Sequence, residues 1–92
     1  MKRQRIEFAE KSLIFHLYNH EGKEDEAFES GIHTIEKHLQ WNEQFLKSII
    51  KELKRKEKIY IKDGIIKLTE SGRDYAIKSY EEIISGFEID TE

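Results

Sequence analysis

The chain has 92 residues, of which 37% are hydrophobic and 11% aromatic, with a formal net charge of −3 and neither cysteine nor proline. This length predicts one domain, and the aromatic and isoleucine content argues against disorder. The composition excludes disulfides and thiolate metal sites, and no apolar run approaches the roughly 20 residues that span a bilayer. We therefore expect a cytoplasmic protein without a membrane segment.

Charge is distributed unevenly along the chain. Residues 45–67 carry eight Lys or Arg against three acids, whereas residues 20–36 carry six acids against Lys23 alone, and residues 79–92 carry five acids and no base. A local basic patch matters more for nucleic-acid binding than the net charge does. The sequence therefore indicates residues 45–67 as the segment that would face DNA.

The first predicted helix covers about residues 4–20, and Gly22 ends it. Its apolar residues recur at steps of three and four, the spacing of one helix face: Ile6, Ala9, Leu13 and Leu17. Residues 27–29 fit a single rung, that is, one short extended segment. Ser30 is the predicted N-cap of a second helix that runs to Leu39 or Gln40.

Asn42 is the predicted N-cap of a third helix over residues 42–56, and Glu43 suits the positive end of its dipole. Four apolar residues give this helix a core stripe: Leu46, Ile49, Ile50 and Leu53. Residues 59–62 and 65–68 are two β-branched runs separated by Asp63-Gly64, a pattern typical of a hairpin with a type I′ turn.

Thr69 is the predicted cap of a last helix that runs to about Ser85. Its apolar stripe is predicted to comprise Ala76, Ile77, Tyr80, Ile83, Ile84 and Phe87. Residues 1–5 and 88–92 are expected to be flexible ends of a single domain over 1–92. The basic Lys2, Arg3 and Arg5 could add a phosphate contact, but a solvated tail is the favoured interpretation.

The run from Leu53 to Ile59, followed by Ile66 to Ala76, resembles winged helix-turn-helix DNA-binding proteins. The pattern L-T-E-x-G-R-x-x-A is similar to that of iron-dependent-repressor and multiple-antibiotic-resistance regulators. The resemblance covers roughly residues 10–80. It implies an α+β, mainly α fold: a winged helix-turn-helix with a three-helix core, a two-stranded wing and an additional C-terminal helix. It also implies double-stranded DNA binding.

In this fold the third helix enters the major groove, so its outer face supplies the base-reading candidates: Gln44, Lys47, Ser48 and Lys51. An ordinary polar helix face is the alternative. The phosphate candidates are Lys54, Arg55, Lys56, Lys58, Lys62 and Lys67, although cations also favour a helix C-terminus for purely structural reasons. Asp63 at the tip would repel phosphate, so we expect weak wing contacts.

The last helix offers candidates for a homodimer interface: Ile77, Tyr80, Ile83, Ile84 and Phe87. Related regulators dimerise through terminal helices, but these residues could instead fill one monomeric core. Trp41, between the second and third helices, is expected to close the core rather than to stack on a ligand.

His16 and His20 are four residues apart and could share a helix face, but the sequence places no carboxylate convincingly beside them. We therefore predict no metal site and no cofactor. In iron-dependent repressors a metal-binding histidine follows the L-T-E-x-G-R pattern, and Ile83 occupies that position here, so metal sensing is not implied. No small-molecule effector and no catalytic constellation is identifiable.

The sequence thus predicts a transcriptional regulator that binds double-stranded DNA sequence-specifically and is not an enzyme. The alternative is a winged helix used for protein–protein interaction in a transcription or other assembly. DNA binding predicts that Lys47, Lys51 and Arg55 are exposed together, whereas protein docking predicts an exposed apolar patch near Trp41 or Phe87.

Overall fold

The computed structural model describes the backbone of residues 3–90 and the side chains of residues 5–85. Within these limits the protein is α+β, mainly helical, with one two-stranded antiparallel sheet. The helices are α1 (Arg3–His20), α2 (Glu26–Glu29), α3 (Ile32–Leu39), α4 (Glu43–Arg55) and α5 (Glu70–Asp90), and the strands are β1 (Ile59–Lys62) and β2 (Ile65–Leu68).

The turn between α3 and α4 follows from local chemistry. Gln40 takes a left-handed conformation, with φ of 57°, and so ends α3. Asn42 Oδ1 then accepts a hydrogen bond of 2.8 Å from the backbone N–H of Phe45, which satisfies one of the free donors at the start of α4. The predicted N-cap and the predicted course of this helix are confirmed.

The hairpin also has its predicted geometry. Asp63 and Gly64 both have positive φ, 54° and 76°, as a type I′ turn requires. The register pairs Ile59 with Leu68 and Lys62 with Ile65. The turn therefore fixes which faces of the strands meet the helices.

The segment before α3 differs from the prediction. Residues 26–29 form the short helix α2 rather than an extended rung, and the rung is an isolated bridge between Gly31 and Ile65. Ser30 is buried and is not the N-cap of α3, because Gly31 holds that position. The carbonyl of Ser30 instead accepts a hydrogen bond of 3.0 Å from Ile66 N–H. Pairing with β2, a partner distant in sequence, thus overrides the local capping preference of serine.

The core lies between α1, α3, α4 and the inner face of the hairpin. The predicted stripe of α4 is buried, as is that of α1 apart from Ile6, which is only partly buried against the core. Three residues of the sheet are buried with them, and the buried set is Ala9, Leu13, Leu17, Leu46, Ile49, Ile50, Leu53, Ile59, Ile66 and Leu68. Each fully buried aliphatic side chain contributes roughly 1.5–3 kcal/mol of gross transfer free energy. Burial of these chains fixes the outward direction of the remaining α4 residues.

The inner face of α5 is not the predicted apolar stripe. Gly72, Ala76 and Ser79 are buried, and α5 packs on α1 and β2 through these small residues. Among the members of the predicted stripe whose side chains are described, only Ala76 belongs to the buried face. Ile77, Tyr80, Ile83 and Ile84 are 40–59% exposed, and the side chain of Phe87 lies outside the described residues.

The helices also extend into the two segments expected to be flexible. Arg3 to Arg5 belong to α1, and residues 88–90 belong to α5. The expectations for residues 1, 2, 91 and 92, including a phosphate contact by Lys2, lie outside the described backbone. Among the described residues, no helix combines the length and the hydropathy needed to cross a bilayer.

Candidate nucleic-acid interface

The outer face of α4 carries four exposed polar side chains: Gln44, Lys47, Ser48 and Lys51. They lie opposite the buried stripe of the same helix, at the three- and four-residue spacing that places side chains on one face. Ser48 Oγ donates to the carbonyl of Phe45 at 2.7 Å, which leaves the other three side chains as the extended polar groups of this face. The predicted base-reading residues therefore share one exposed surface.

Two cations on or beside this face have acidic neighbours on the same helix. Lys47 Nζ lies 3.0 Å from Glu43 Oε1, and Arg55 forms an ion pair with Glu52. Hydrogen bonds from these cations lower the pKa of Glu43 and of Glu52 below the ordinary glutamate value. Such exposed pairs are weak and are screened by salt, so a polyanion can compete for Lys47 and Arg55.

Three of the six phosphate candidates have contacts that hold the fold together. Lys56 Nζ lies 3.0 and 3.1 Å from the two carboxylate oxygens of the buried Glu10. Lys58 Nζ donates to Ser71 Oγ at 2.7 Å. Lys67 Nζ donates to Glu26 Oε2 at 3.4 Å.

The remaining phosphate candidates are Lys54, Arg55 and Lys62. Lys54 and Lys62 are exposed, and neither forms an ion pair with any side chain between residues 5 and 85. Lys54 continues α4 beyond the base-reading face, and Lys62 ends β1. Among the six phosphate candidates, these two lysines are therefore the ones whose charge is least neutralised by neighbouring side chains.

The hairpin exposes an aromatic and an aliphatic side chain that were not predicted to be exposed. Tyr60 is 45% exposed and Ile61 38% exposed, so three successive residues of β1 face solvent. β1 is an edge strand, because β2 has a neighbour on each side and β1 has only β2. Ile59–Lys62 begins with three apolar residues in succession, so the sequence lacks the polar–apolar alternation that would mark its exposed side.

A groove lies between α1 and the α3–α4 turn, lined in part by Arg5, Phe8, Trp41 and Phe45. Trp41 is partly buried against the core, as expected, and its ring meets that of Phe45 edge-on at 5.1 Å between centroids. Phe8 is 75% exposed, although it belongs to the first helix. Phe8 falls outside the apolar stripe of α1, which accounts for its exposure.

A second group of polar side chains lies where α1 meets α2. A ring nitrogen of His16, a ring nitrogen of His20 and a carboxylate oxygen of Glu29 all lie within 4.8 Å of one another. The sequence indicated the two histidines but not Glu29, because the loop that returns the chain to α1 has no local signal for its path. These are the described residues that could hold a metal ion.

Comparisons of the chain with protein-family models, with curated proteins and with solved structures find no match. The described residues define the class: a small α+β protein, mainly helical, with a two-stranded antiparallel sheet. The basis for proposing a function is therefore the arrangement of exposed side chains on α4, on the hairpin and in the groove beside α1.

Proposed function

We propose that this protein is a winged helix-turn-helix transcriptional regulator that binds double-stranded DNA sequence-specifically. The element order supports this architecture: α1, α3 and α4 form three helices, the hairpin β1–β2 follows as the wing, and α5 is additional. The turn of residues 40–42 between α3 and α4 has the length found in helix-turn-helix motifs. The isolated bridge between Gly31 and Ile65 adds a short third segment to the sheet, next to β2.

The observation that carries the proposal is the joint exposure of Gln44, Lys47 and Lys51 on the outer face of α4. In a major groove, glutamine makes a bidentate contact to adenine and lysine reaches the acceptors of guanine. Lys54 and Lys62 would then bind phosphates, and Arg55 would join them by exchanging Glu52 for a phosphate. In this proposal the other three phosphate candidates mainly contact side chains of neighbouring elements, and they are Lys56, Lys58 and Lys67.

The proposal includes a homodimer formed through α5. Four apolar side chains on this helix are partly exposed in the single chain: Ile77, Tyr80, Ile83 and Ile84. Pairing them with a second copy removes this apolar surface from water and doubles the DNA footprint. We place the protein with DNA in the cytoplasm, and the proposal contains no catalytic step, cofactor or effector.

The first test is a salt titration of binding to random duplex DNA, followed by the Lys47→Ala/Lys51→Ala variant. We expect log K to fall linearly with log salt, with a slope of about −0.9 for each phosphate contact. The double variant should bind at least about tenfold more weakly, because it loses two cations from the proposed groove-facing surface.

Lys23→Ala is the matched control for charge, since Lys23 is exposed in the loop before α2 and far in sequence from α4. It should bind random DNA within about twofold of the parent. Absence of binding at low salt would reject the DNA proposal, and an equal loss in the control and the double variant would reject α4 as the interface.

The groove beside Phe8 favours a second candidate function, docking of a protein partner. Phe8 is 75% exposed, and its neighbours Trp41 and Phe45 are only partly buried. Exposed aromatic side chains next to a groove are typical of interaction surfaces. This candidate predicts that Phe8→Ser leaves DNA binding unchanged and abolishes partner binding, which distinguishes the two surfaces.

A further inference from the structure

The cluster of His16, His20 and Glu29 has the ligand types of a transition-metal site. Imidazole nitrogens and a carboxylate oxygen suit Zn²⁺, which binds both at about 2.0–2.2 Å in tetrahedral geometry. Ligand atoms of such a site stand about 3.4 Å apart, whereas the three atoms here lie within 4.8 Å of one another without an ion. Binding of an ion would therefore require side-chain rotations that shorten these separations.

Each of the two histidines has one ring nitrogen within hydrogen-bond distance of a carboxylate or a backbone carbonyl. His20 Nδ1 lies 3.1 Å from Asp25 Oδ2, and His16 Nε2 lies 2.7 Å from the backbone carbonyl oxygen of Glu29. A carboxylate or a backbone carbonyl in this position takes the ring N–H and fixes the tautomer. In His20 the other ring nitrogen, Nε2, then keeps its lone pair for a metal. In His16 the same Nε2 that meets the carbonyl also lies 3.9 Å from Glu29 Oε2, so it would exchange the carbonyl for the ion.

Glu29 provides an independent observation. Its side chain is only 15% exposed, and its Oε2 is buried without a hydrogen-bond partner among the described residues. The nearest cationic candidate is His38, whose Nδ1 lies 3.4 Å from this oxygen. A buried carboxylate oxygen without a hydrogen bond is costly, and a bound cation would offset that cost.

The positions of these residues decide what an ion would connect. His16 and His20 lie one turn apart on α1, Glu29 ends α2, and His38 lies on α3. The residues that follow Glu29 pair with β2 through Ser30 and Gly31. An ion at this cluster would therefore fasten α1 to the segment that leads into the helix-turn-helix.

We propose that His16, His20 and Glu29 bind one Zn²⁺ ion per chain, with His38 beside the site. The site is separate from the outer face of α4, and the inference does not depend on the proposed DNA binding. Its alternative is a set of ordinary polar contacts around Glu29, which has no requirement for a metal.

The test is an isothermal titration of the metal-free full chain with Zn²⁺ at neutral pH, together with thermal unfolding with and without zinc. We expect one ion per chain, a dissociation constant in the micromolar range or below, and a thermal midpoint that rises with zinc. No stoichiometric binding at micromolar zinc would overturn the proposal.

Three single variants separate a built site from scattered surface histidines. His20→Ala and Glu29→Gln should each weaken zinc binding by more than the about 10- to 100-fold that loss of an outer partner costs. His33→Ala is the control, because His33 is an exposed histidine of α3 outside the cluster. Circular dichroism checks that each variant is folded, and equal weakening in His33→Ala and His20→Ala would reject the assignment.

Discussion

Five residues between Leu68 and Ala76 have contacts that explain their type. Leu68 and Ala76 are buried, and Thr69 Oγ1 accepts a hydrogen bond of 3.0 Å from Gly72 N–H while it donates to the carbonyl of Glu57. Arg73 forms a bidentate ion pair with Glu21. The pattern that resembles winged-helix regulators thus attaches α5 to the hairpin and to α1.

Gly72 is the most restrictive position of this set. A Cβ at this position would stand 2.0 Å from the carbonyl oxygen of Lys58, which is backbone and cannot rotate away. We expect Gly72→Ala to reduce the free energy of unfolding by about 1–3 kcal/mol, as overpacking of a close contact does. Urea denaturation of the two proteins measures the difference.

Gly31→Ala is the matched control for this substitution. A Cβ there meets Phe28 O at 3.4 Å, an ordinary contact, and Gly31 has a φ of −75° that alanine adopts freely. Its effect should stay below about 1 kcal/mol. If Gly31→Ala proves as destabilising as Gly72→Ala, the close approach to Lys58 is not the reason for glycine at position 72.

Among the elements, those with strong local signals could be predicted from the sequence. Asn42 and Thr69 cap their helices as expected, and Asp63-Gly64 makes the turn of the hairpin. The Gly31 rung could not be predicted, because it depends on a partner, Ile65, that is distant in sequence. The α2 helix has only four residues, which is too short for a periodic apolar pattern. The buried face of α5 was missed for a related reason: small residues allow close packing but have no strong hydrophobic pattern.

The candidate sites also divide into features that a local sequence pattern predicts and features that depend on residues distant in sequence. The outer face of α4 could be predicted, because the buried stripe of one helix fixes its opposite face. The pairing of Lys56 with Glu10 could not, since the two residues are 46 positions apart. The place of Glu29 beside His16 also depends on the path of the chain after α1, which no local pattern specifies.

The ion pair between Glu21 and Arg73 joins the end of α1 to the start of α5. Arg73 Nε and Nη2 donate to the two carboxylate oxygens at 2.8 and 2.7 Å, and the hydrogen bond from Arg73 lowers the pKa of Glu21. Both side chains are partly exposed, at 40% for Arg73 and 29% for Glu21, so screening by solvent limits the contribution.

We expect Glu21→Gln to lower the free energy of unfolding by about 0.5–1 kcal/mol at neutral pH. A depressed folded-state pKa stabilises the fold above the unfolded pKa, and this stabilisation disappears as the pH falls through the folded pKa. The difference between parent and variant should therefore shrink in acid. Chemical denaturation at several pH values measures it.

Glu24→Gln in the exposed loop is the control for this experiment, and it should change stability little at any pH. A Glu21→Gln effect that stays constant down to strongly acidic pH would show that the carboxylate charge is not its origin.

At the scale of the whole molecule, α5 has apolar side chains that the other described residues leave exposed to solvent. Ile77 and Ile84 are 40% and 42% exposed on the helix whose buried side consists of small residues. We expect the parent to sediment as a dimer at tens of micromolar, because pairing two such faces buries apolar area. Ile84→Glu should shift the population to monomer and leave the helical circular dichroism spectrum unchanged.

Ile61→Glu is the matched control, since Ile61 has similar exposure, 38%, on the hairpin instead of on α5. It should sediment as the parent does. A parent that is monomeric at every accessible concentration, or a control that dissociates like Ile84→Glu, would contradict the proposed role of α5.

β2 lies between β1 and the backbone of Ser30 and Gly31, and this position affects local unfolding of the hairpin. A hairpin that packs on a body only through side chains can swing away as a unit in a low-energy fluctuation. Here the N–H of Ile66 is bonded to Ser30, so such a swing would also break the strand bridge at the entry to α3. Opening of the hairpin therefore also costs the bridge at Gly31, and of residues 59–68 only Asp63 and Gly64 lie outside the ladder between the two strands.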